Sequence, residues 1–266
     1  MSNISVNKIW PIRMIVICVL ALTLFSQAIA GNTLFFYNPE SNINDFRSLK
    51  KLFDTHLSRN NAYQFQPFAE KNIFENFLQK NKNDVFLLSS WHYQNLLEQG
   101  YSYLKPILVG TIDGNTTYIK VLSTKKKINN IKKLQAKRIA SAANKIYTNN
   151  MLESMTIQRH IRFKVLTVPK DIDALMSVLF GMAQGALTTR RSLKTLASIN
   201  PKKYQLLHQI AASQPIMLPV VVTNNSVASE QLLKIIEKLP TSTTGKEILG
   251  MLGWNGWKKI TSIDMQ

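Results

Sequence analysis

Hydroxyl, aromatic and guanidinium side chains gather at three places along this sequence, in patterns suited to holding an anion. Ser89 and Ser90 directly follow the apolar run Val85 to Leu88. At the end of a strand that opens a helix, their hydroxyls and the first free N–H groups of the helix would bind an anion; the same serines also read as plain helix caps. Trp91, His92 and Tyr93 come next, an aromatic group that would either close over a ligand at a cleft edge or pack inward. Thr148 and Asn149 head a second helical stretch and offer the same two readings as the serines. Thr188, Thr189 and Arg190 end a short apolar segment that begins at Gly185, so Arg190 is either a bidentate clamp for a carboxylate or phosphate or a surface cation. Asn38, at the end of the first strand, and Tyr118 are candidates by position.

The residues that catalysis would need are missing. His56, His92, His160 and His208 are scattered and do not pair with glutamate at metal-ligand spacing. The segment Gly181 to Gly185 lacks the spacing of a phosphate-cradling loop, and no Gly-x-Ser-x-Gly turn is present to carry a nucleophilic serine. Neither a metal nor a cofactor is expected, and a non-enzymatic role is.

These side chains need elements to position them, and the hydrophobic pattern supplies them. Leu34 to Tyr37 reads as a buried strand stopped by Asn38-Pro39. Phe46, Leu49, Leu52, Phe53 and Leu57 recur at helical spacing behind a cap at Asn44 or Asp45. Strands at 63–68 and 84–88 alternate with a helix around Ile73 to Leu78, and a further helix starts at Ser89-Ser90. This alternation predicts an α/β fold with parallel pairing and helices on both sheet faces.

Two more strands, 104–109 and 116–122, flank the turn signal Asp113-Gly114-Asn115. Beyond the lysine cluster the pattern predicts a helix over 128–134, a strand over 138–141 entering a new sheet, and a helix over 148–158. Then come a strand over 163–168, a helix over 172–180, a strand over 185–189 and a helix over 191–197. The stretch 204–210 leads through Ser213-Gln214-Pro215 to an apolar run at 218–223, and amphipathic helices over 230–239 and 245–252 close the chain.

The first thirty residues read as a secretory signal. Lys8 and Arg13 precede an apolar run from Met14 to Phe25, and Ala28-Ile29-Ala30 is a small-x-small cleavage pattern. The run is short for a bilayer span, which disfavours an uncleaved anchor. The single cysteine, Cys18, lies inside the run, so the mature chain from Gly31 has no thiol for a disulfide and must rely on a packed core. Of the 33 basic residues the leader removes two, leaving 31 against 15 acidic ones and a net charge of +16. Such a field attracts anions, lipid head groups or nucleic acid. The charge is spread along the chain and no nucleic-acid-binding module accompanies it, so a nucleic-acid partner is not expected.

The order of the segments Asp84 to Ser90, Thr116 to Leu122, Leu134 to Ala140, Gly181 to Ala186, Ser213 to Val222 and Gly245 to Gly253 resembles the phosphate/phosphonate-type periplasmic substrate-binding proteins of ABC importers. The resemblance implies the type II periplasmic-binding-protein fold: two α/β lobes, each a mixed, mostly parallel sheet flanked by helices, with a ligand cleft between them. Residues 31–118 plus 218–266 would form one lobe and 119–217 the other. It also implies capture of a small anionic solute for an ABC permease in the inner membrane.

The sequence departs from the family pattern at the site. Where the family has a Ser-Thr-Ser-Gly run that cradles the anion, this chain has Ile146-Tyr147-Thr148-Asn149; Thr148 keeps a hydroxyl and Tyr147 brings a larger one. Leu88 replaces a common tyrosine, Gln184 an expected acid, and Glu70 falls near another common tyrosine. These departures leave open a sensory or interaction protein of the same fold that signals to a membrane sensor kinase or cyclase. A basic protein that binds nucleic acid or lipid is the third reading.

Overall fold

The structure, a computed structural model, describes residues 33–40, 43, 45–59, 63–81, 84–156, 162–224, 227 and 229–260. The leader 1–30, its cleavage point at Gly31, Asn44, His160 and the predicted helical end at 157–158 lie outside the described residues.

The first sheet starts with β1 (Thr33–Tyr37), β2 (Gln64–Pro67) and β3 (Val85–Leu88), joined by α1 (Phe46–Leu57) and α2 (Lys71–Lys80). Leu34 and Phe36 face one core and Phe35 and Tyr37 the other, so β1 is apolar on both sides because helices cover both faces of the sheet. Asp45 caps α1 by accepting from the Ser48 N–H. Leu49, Phe53 and Leu57 then place one buried side chain per turn, and Phe53 stacks on Phe65 of β2 with ring centroids 3.9 Å apart.

From β3 the chain enters α3 (Ser90–Glu98) and β4 (Lys105–Thr111). It then leaves through the two-residue β5 (Thr117–Tyr118) for a second sheet. That sheet consists of β6 (Lys120–Lys125), β7 (Arg138–Ser141), β8 (Lys164–Thr167), β9 (Gly185–Thr189) and β10 (Leu207–Ala212). Its helices are α4 (Lys145–Ser154), α5 (Asp171–Leu179), α6 (Arg190–Ile199) and the single turn α7 (Pro201–Tyr204). The return path is β11 (Ile216–Met217), antiparallel to β5, followed by β12 (Val220–Thr223), α8 (Glu230–Glu237), α9 (Thr243–Leu252) and β13 (Gly256–Lys259). The strand orders are β13-β4-β12-β3-β1-β2 and β10-β6-β9-β7-β8.

Both sheets are mixed, and the parallel share is smaller than the sequence alternation suggests. The pairs β1-β2, β1-β3, β7-β8 and β7-β9 are parallel. The strands that follow a crossing, β6 and β12, enter antiparallel to both neighbours. A chain arriving from the opposite lobe runs into the sheet from the end at which the βα units leave it.

Local sequence explains most other differences. The single strand expected at 116–122 divides at Ile119, where the backbone switches from the crossing ribbon to the second sheet and Ile119 O accepts from Arg190 N–H. The helix expected at 128–134 is only a 3-10 turn, Ile131–Leu134, because Ala136 adopts φ 57° and ends it. The helix expected from Thr148 starts at Lys145, because Asn144 caps it through the Tyr147 N–H. The edge strands β10 and β13 carry little alternation, so the sequence pattern predicts neither.

Gly245 sits in the first turn of α9, where an added Cβ would come within 2 Å of the Leu239 carbonyl oxygen. Replacing it with alanine forces the helix away from the preceding 3-10 turn, at an overpacking cost of about 1–3 kcal/mol. Urea denaturation of Gly245→Ala checks this, with a fall in midpoint at unchanged slope as the expected result.

Candidate functional site

The carboxyl ends of β1 and β3 lie side by side, since Tyr37 pairs with Leu88, and the loops that leave them meet over the N-terminus of α3. Asn38-Pro39-Glu40 turns back there, with the Asn38 side chain accepting from the Glu40 N–H at 2.9 Å. The turn aims the Glu40 carboxylate at α3. Its Oε1 accepts from the Trp91 N–H at 3.2 Å, Oε2 accepts from the Tyr118 hydroxyl, and the Ser89 hydroxyl also bonds it. Ser89 simultaneously caps α3 by accepting from the His92 N–H at 3.1 Å, and the Ser90 hydroxyl donates to Met217 O at 2.6 Å on the returning ribbon. The helix start is therefore both capped and occupied by an anion of the chain's own making.

The second lobe closes over this arrangement. The Tyr147 hydroxyl lies 3.2 Å from that of Tyr118, and its ring meets Trp91 edge to face with centroids 5.6 Å apart. Asn144 N–H donates to Pro39 O at 2.9 Å, the Asn144 side chain bonds the Tyr37 hydroxyl, and an exposed ion pair joins Arg191 to Asp113 at 3.6 Å. That ion pair adds little, because both partners are well solvated. The Lys120 ammonium stands 5.7 Å above the Tyr118 ring and supplies positive charge beside Glu40.

Electrostatics follow from burial. Glu40 is 5% exposed, and desolvation pushes its pKa up despite the donors around it. Desolvation, reinforced by the nearby carboxylate, raises Tyr118 and Tyr147 well above the ordinary phenol range, so both stay neutral donors. His92 lies behind the cleft between Tyr37 and Phe74, where burial drives its pKa down to about 3; it is a neutral packing residue despite Glu75 at 3.6 Å.

A second helix start, that of α6, is satisfied in the same manner. Asp171 Oδ2 accepts from the Thr189 N–H at 2.6 Å and the Ser192 hydroxyl at 3.1 Å, while Thr189 Oγ1 accepts from the Ser192 N–H at 3.1 Å. Arg190 is half-buried at this helix start, and Thr188 is fully buried with its hydroxyl unpartnered.

Among the residues singled out from sequence, Asn38, Ser89, Ser90, Trp91, Tyr118 and Tyr147 come together at the cleft. Thr148 is buried in α4 with its hydroxyl unpartnered, and Asn149 is half-buried beside it. Glu70 is not with them: it lines a separate groove of about 580 Å³ along the free edge of β2, with Thr33, Gln66 and Phe77. Sequence reasoning missed Glu40, Lys120, Asn144 and Asp171. Glu40 carried a usable signal, since ligand crevices in α/β sheets form beyond the carboxyl ends of strands and Glu40 lies three residues past β1. Among the described residues no cluster of His, Cys, Asp or Glu is arranged to hold a metal, and no helix is long and apolar enough to cross a membrane.

Residues 35–265 match the family described as "ABC transporter, phosphonate, periplasmic substrate-binding protein". The chain belongs to this family. It is thus a periplasmic solute-binding protein of the ABC-importer type, with a small solute and an ABC permease as partners, in a family of binding proteins rather than enzymes. Solved structures agree on the two-lobed fold. A binding component of an ABC phosphonate transporter from Pseudomonas aeruginosa is 13% identical, with 89% of this chain and 83% of that one covered and a TM-score of 0.61. PhnD1 from Prochlorococcus marinus, in complex with methylphosphonate, is 16% identical, covering 88% and 94% with a TM-score of 0.59. A Xanthomonas citri protein bound to ATP is 10% identical, covering 88% and 93%, also at 0.59. No curated protein matches the chain.

The raised pKa of Glu40 makes a signed prediction about this binding protein. Between the ordinary carboxylate value, about 4.3, and the higher folded-state value, the folded chain holds more protons than the unfolded one, so stability falls as pH rises through that window. Measured by denaturation from pH 7 down to pH 4, wild type should gain on Glu40→Gln and then level off. A constant difference would show that the site does not oppose ionisation of Glu40.

Proposed function

We propose that the solute is a small oxyanion of the phosphonate or phosphate class, captured in the cleft between the lobes and presented to an inner-membrane ABC permease. The lobes are residues 31–118 plus 218–266 and residues 119–217, joined through the paired crossings β5 and β11, and the leader is removed near Ala30 on export. One observation carries the reading: the N-terminus of α3 accepts a carboxylate at the lobe interface, so the seat has the charge and the N–H geometry that an oxyanion requires. The hydroxyls of Ser89, Tyr118 and Tyr147 and the cation Lys120 supply the remaining partners of a tetrahedral anion. Asn38, Ser90 and Trp91 position these groups, and Thr148, Asn149, Thr188 and Arg190 contribute from the second lobe. Glu70, on the far groove, is not proposed as a contact.

The positive charge of the mature chain favours anion encounter and is screened by salt, whereas capture in a dry cleft is not. Titration calorimetry with methylphosphonate, phosphate and neutral and cationic controls, at two salt concentrations, separates the two. Saturable binding of one oxyanion that survives added salt is the expected outcome; binding of a neutral or cationic solute alone would overturn the reading.

A further inference from the structure

Resting on that reading of the cleft, we propose that Glu40 is a built-in occupant of the oxyanion seat, which holds the lobes together without solute and must withdraw before an external oxyanion can enter. Both carboxylate oxygens are engaged, one by the Trp91 N–H and the other by the Tyr118 hydroxyl, and the side chain is almost fully buried. A phosphonate arriving at the same N–H would have to share it with a carboxylate, and two anions a few ångströms apart in a dry cleft repel strongly. Solute and Glu40 are therefore alternative ligands of one seat.

The loop that carries Glu40 is itself a contact between the lobes. Pro39 O, one residue before it, accepts from Asn144 N–H at the head of α4, and the Tyr118 hydroxyl on Glu40 reaches Tyr147 of the same helix. Withdrawing the carboxylate breaks the hydrogen-bond chain from α3 through Glu40 and Tyr118 to Tyr147, so emptying the seat and loosening the closed cleft are one event. The donors left behind, with Lys120 beside them, are those an oxyanion would use. A resident carboxylate of this kind reduces apparent affinity by the fraction of molecules in which it sits in the seat.

Small-angle scattering and calorimetry on the purified protein, Glu40→Ala and Glu40→Gln test this, with methylphosphonate and inorganic phosphate as probes. Glu40→Ala should have a larger radius of gyration than wild type without solute, contract on adding an oxyanion, and bind it at least tenfold more tightly. Glu40→Gln removes the charge but keeps the shape, so it should stay compact and bind more tightly than wild type; it decides the matter alone if Glu40→Ala does not fold. A compact Glu40→Ala with unchanged or weaker oxyanion binding overturns the proposal and leaves the anionic reading standing. An opened Glu40→Ala with no oxyanion binding in any of the three proteins leaves Glu40 as the clamp and removes the anionic reading of the solute.

Discussion

A carboxylate withdrawn from water must be given donors in place of the solvent it loses, and in this protein that demand shapes the cleft. Glu40 takes an N–H from α3, a hydroxyl from the crossing ribbon and a hydroxyl from the helix cap, and it lies where the two lobes meet. The donors come from two pieces of the fold, a helix start fixed by Ser89 and a tyrosine on the two-residue β5, while Asn38 holds the turn that presents Glu40 to them. Shifting any one of them leaves a buried charge short of partners, which is costly. The strand ends, the crossing and the helix dipole are coupled through one side chain.

That coupling is possible because the chain crosses between lobes in two adjacent strands. β5 and β11 pair antiparallel over two residues, so each sheet receives a strand directed against its neighbours. A short paired crossing anchors Tyr118 without a large interface. The remaining contacts across the cleft are a few hydrogen bonds, an edge-to-face aromatic pair and a solvated ion pair. Each sheet has its own buried clusters, and Trp91 is the first-lobe side chain that packs against the core of the second.

The alternation of β and α segments was legible because a sheet covered on both faces demands continuous apolar strands, as in Leu34 to Tyr37 and Val85 to Leu88. Helices with one buried side chain per turn, such as that with Leu49, Phe53 and Leu57, were legible for the same reason. Two of the four edge strands were not: Gly256 to Lys259 and Leu207 to Ala212 expose one side to water and lose the pattern. The hydroxyls and aromatics of the cleft announced themselves by type and by their place after strands. Glu70 lies apart from them, in the groove along β2, because position relative to a family pattern does not say which edge of the sheet a residue faces.

The sequence by itself determined the α/β class, the order of the elements and the presence of polar groups at strand ends. All of these are local consequences of periodicity, capping and burial, which act over a few residues. Only the tertiary structure decided that Glu40, rather than an exposed loop acid, would be the anion at the start of α3, and that Tyr118 and Tyr147 would meet over it. Those contacts join residues 51, 78 and 29 positions apart. No local rule fixes such separations, because they depend on how two independently packed sheets are held against each other by a ribbon two residues wide.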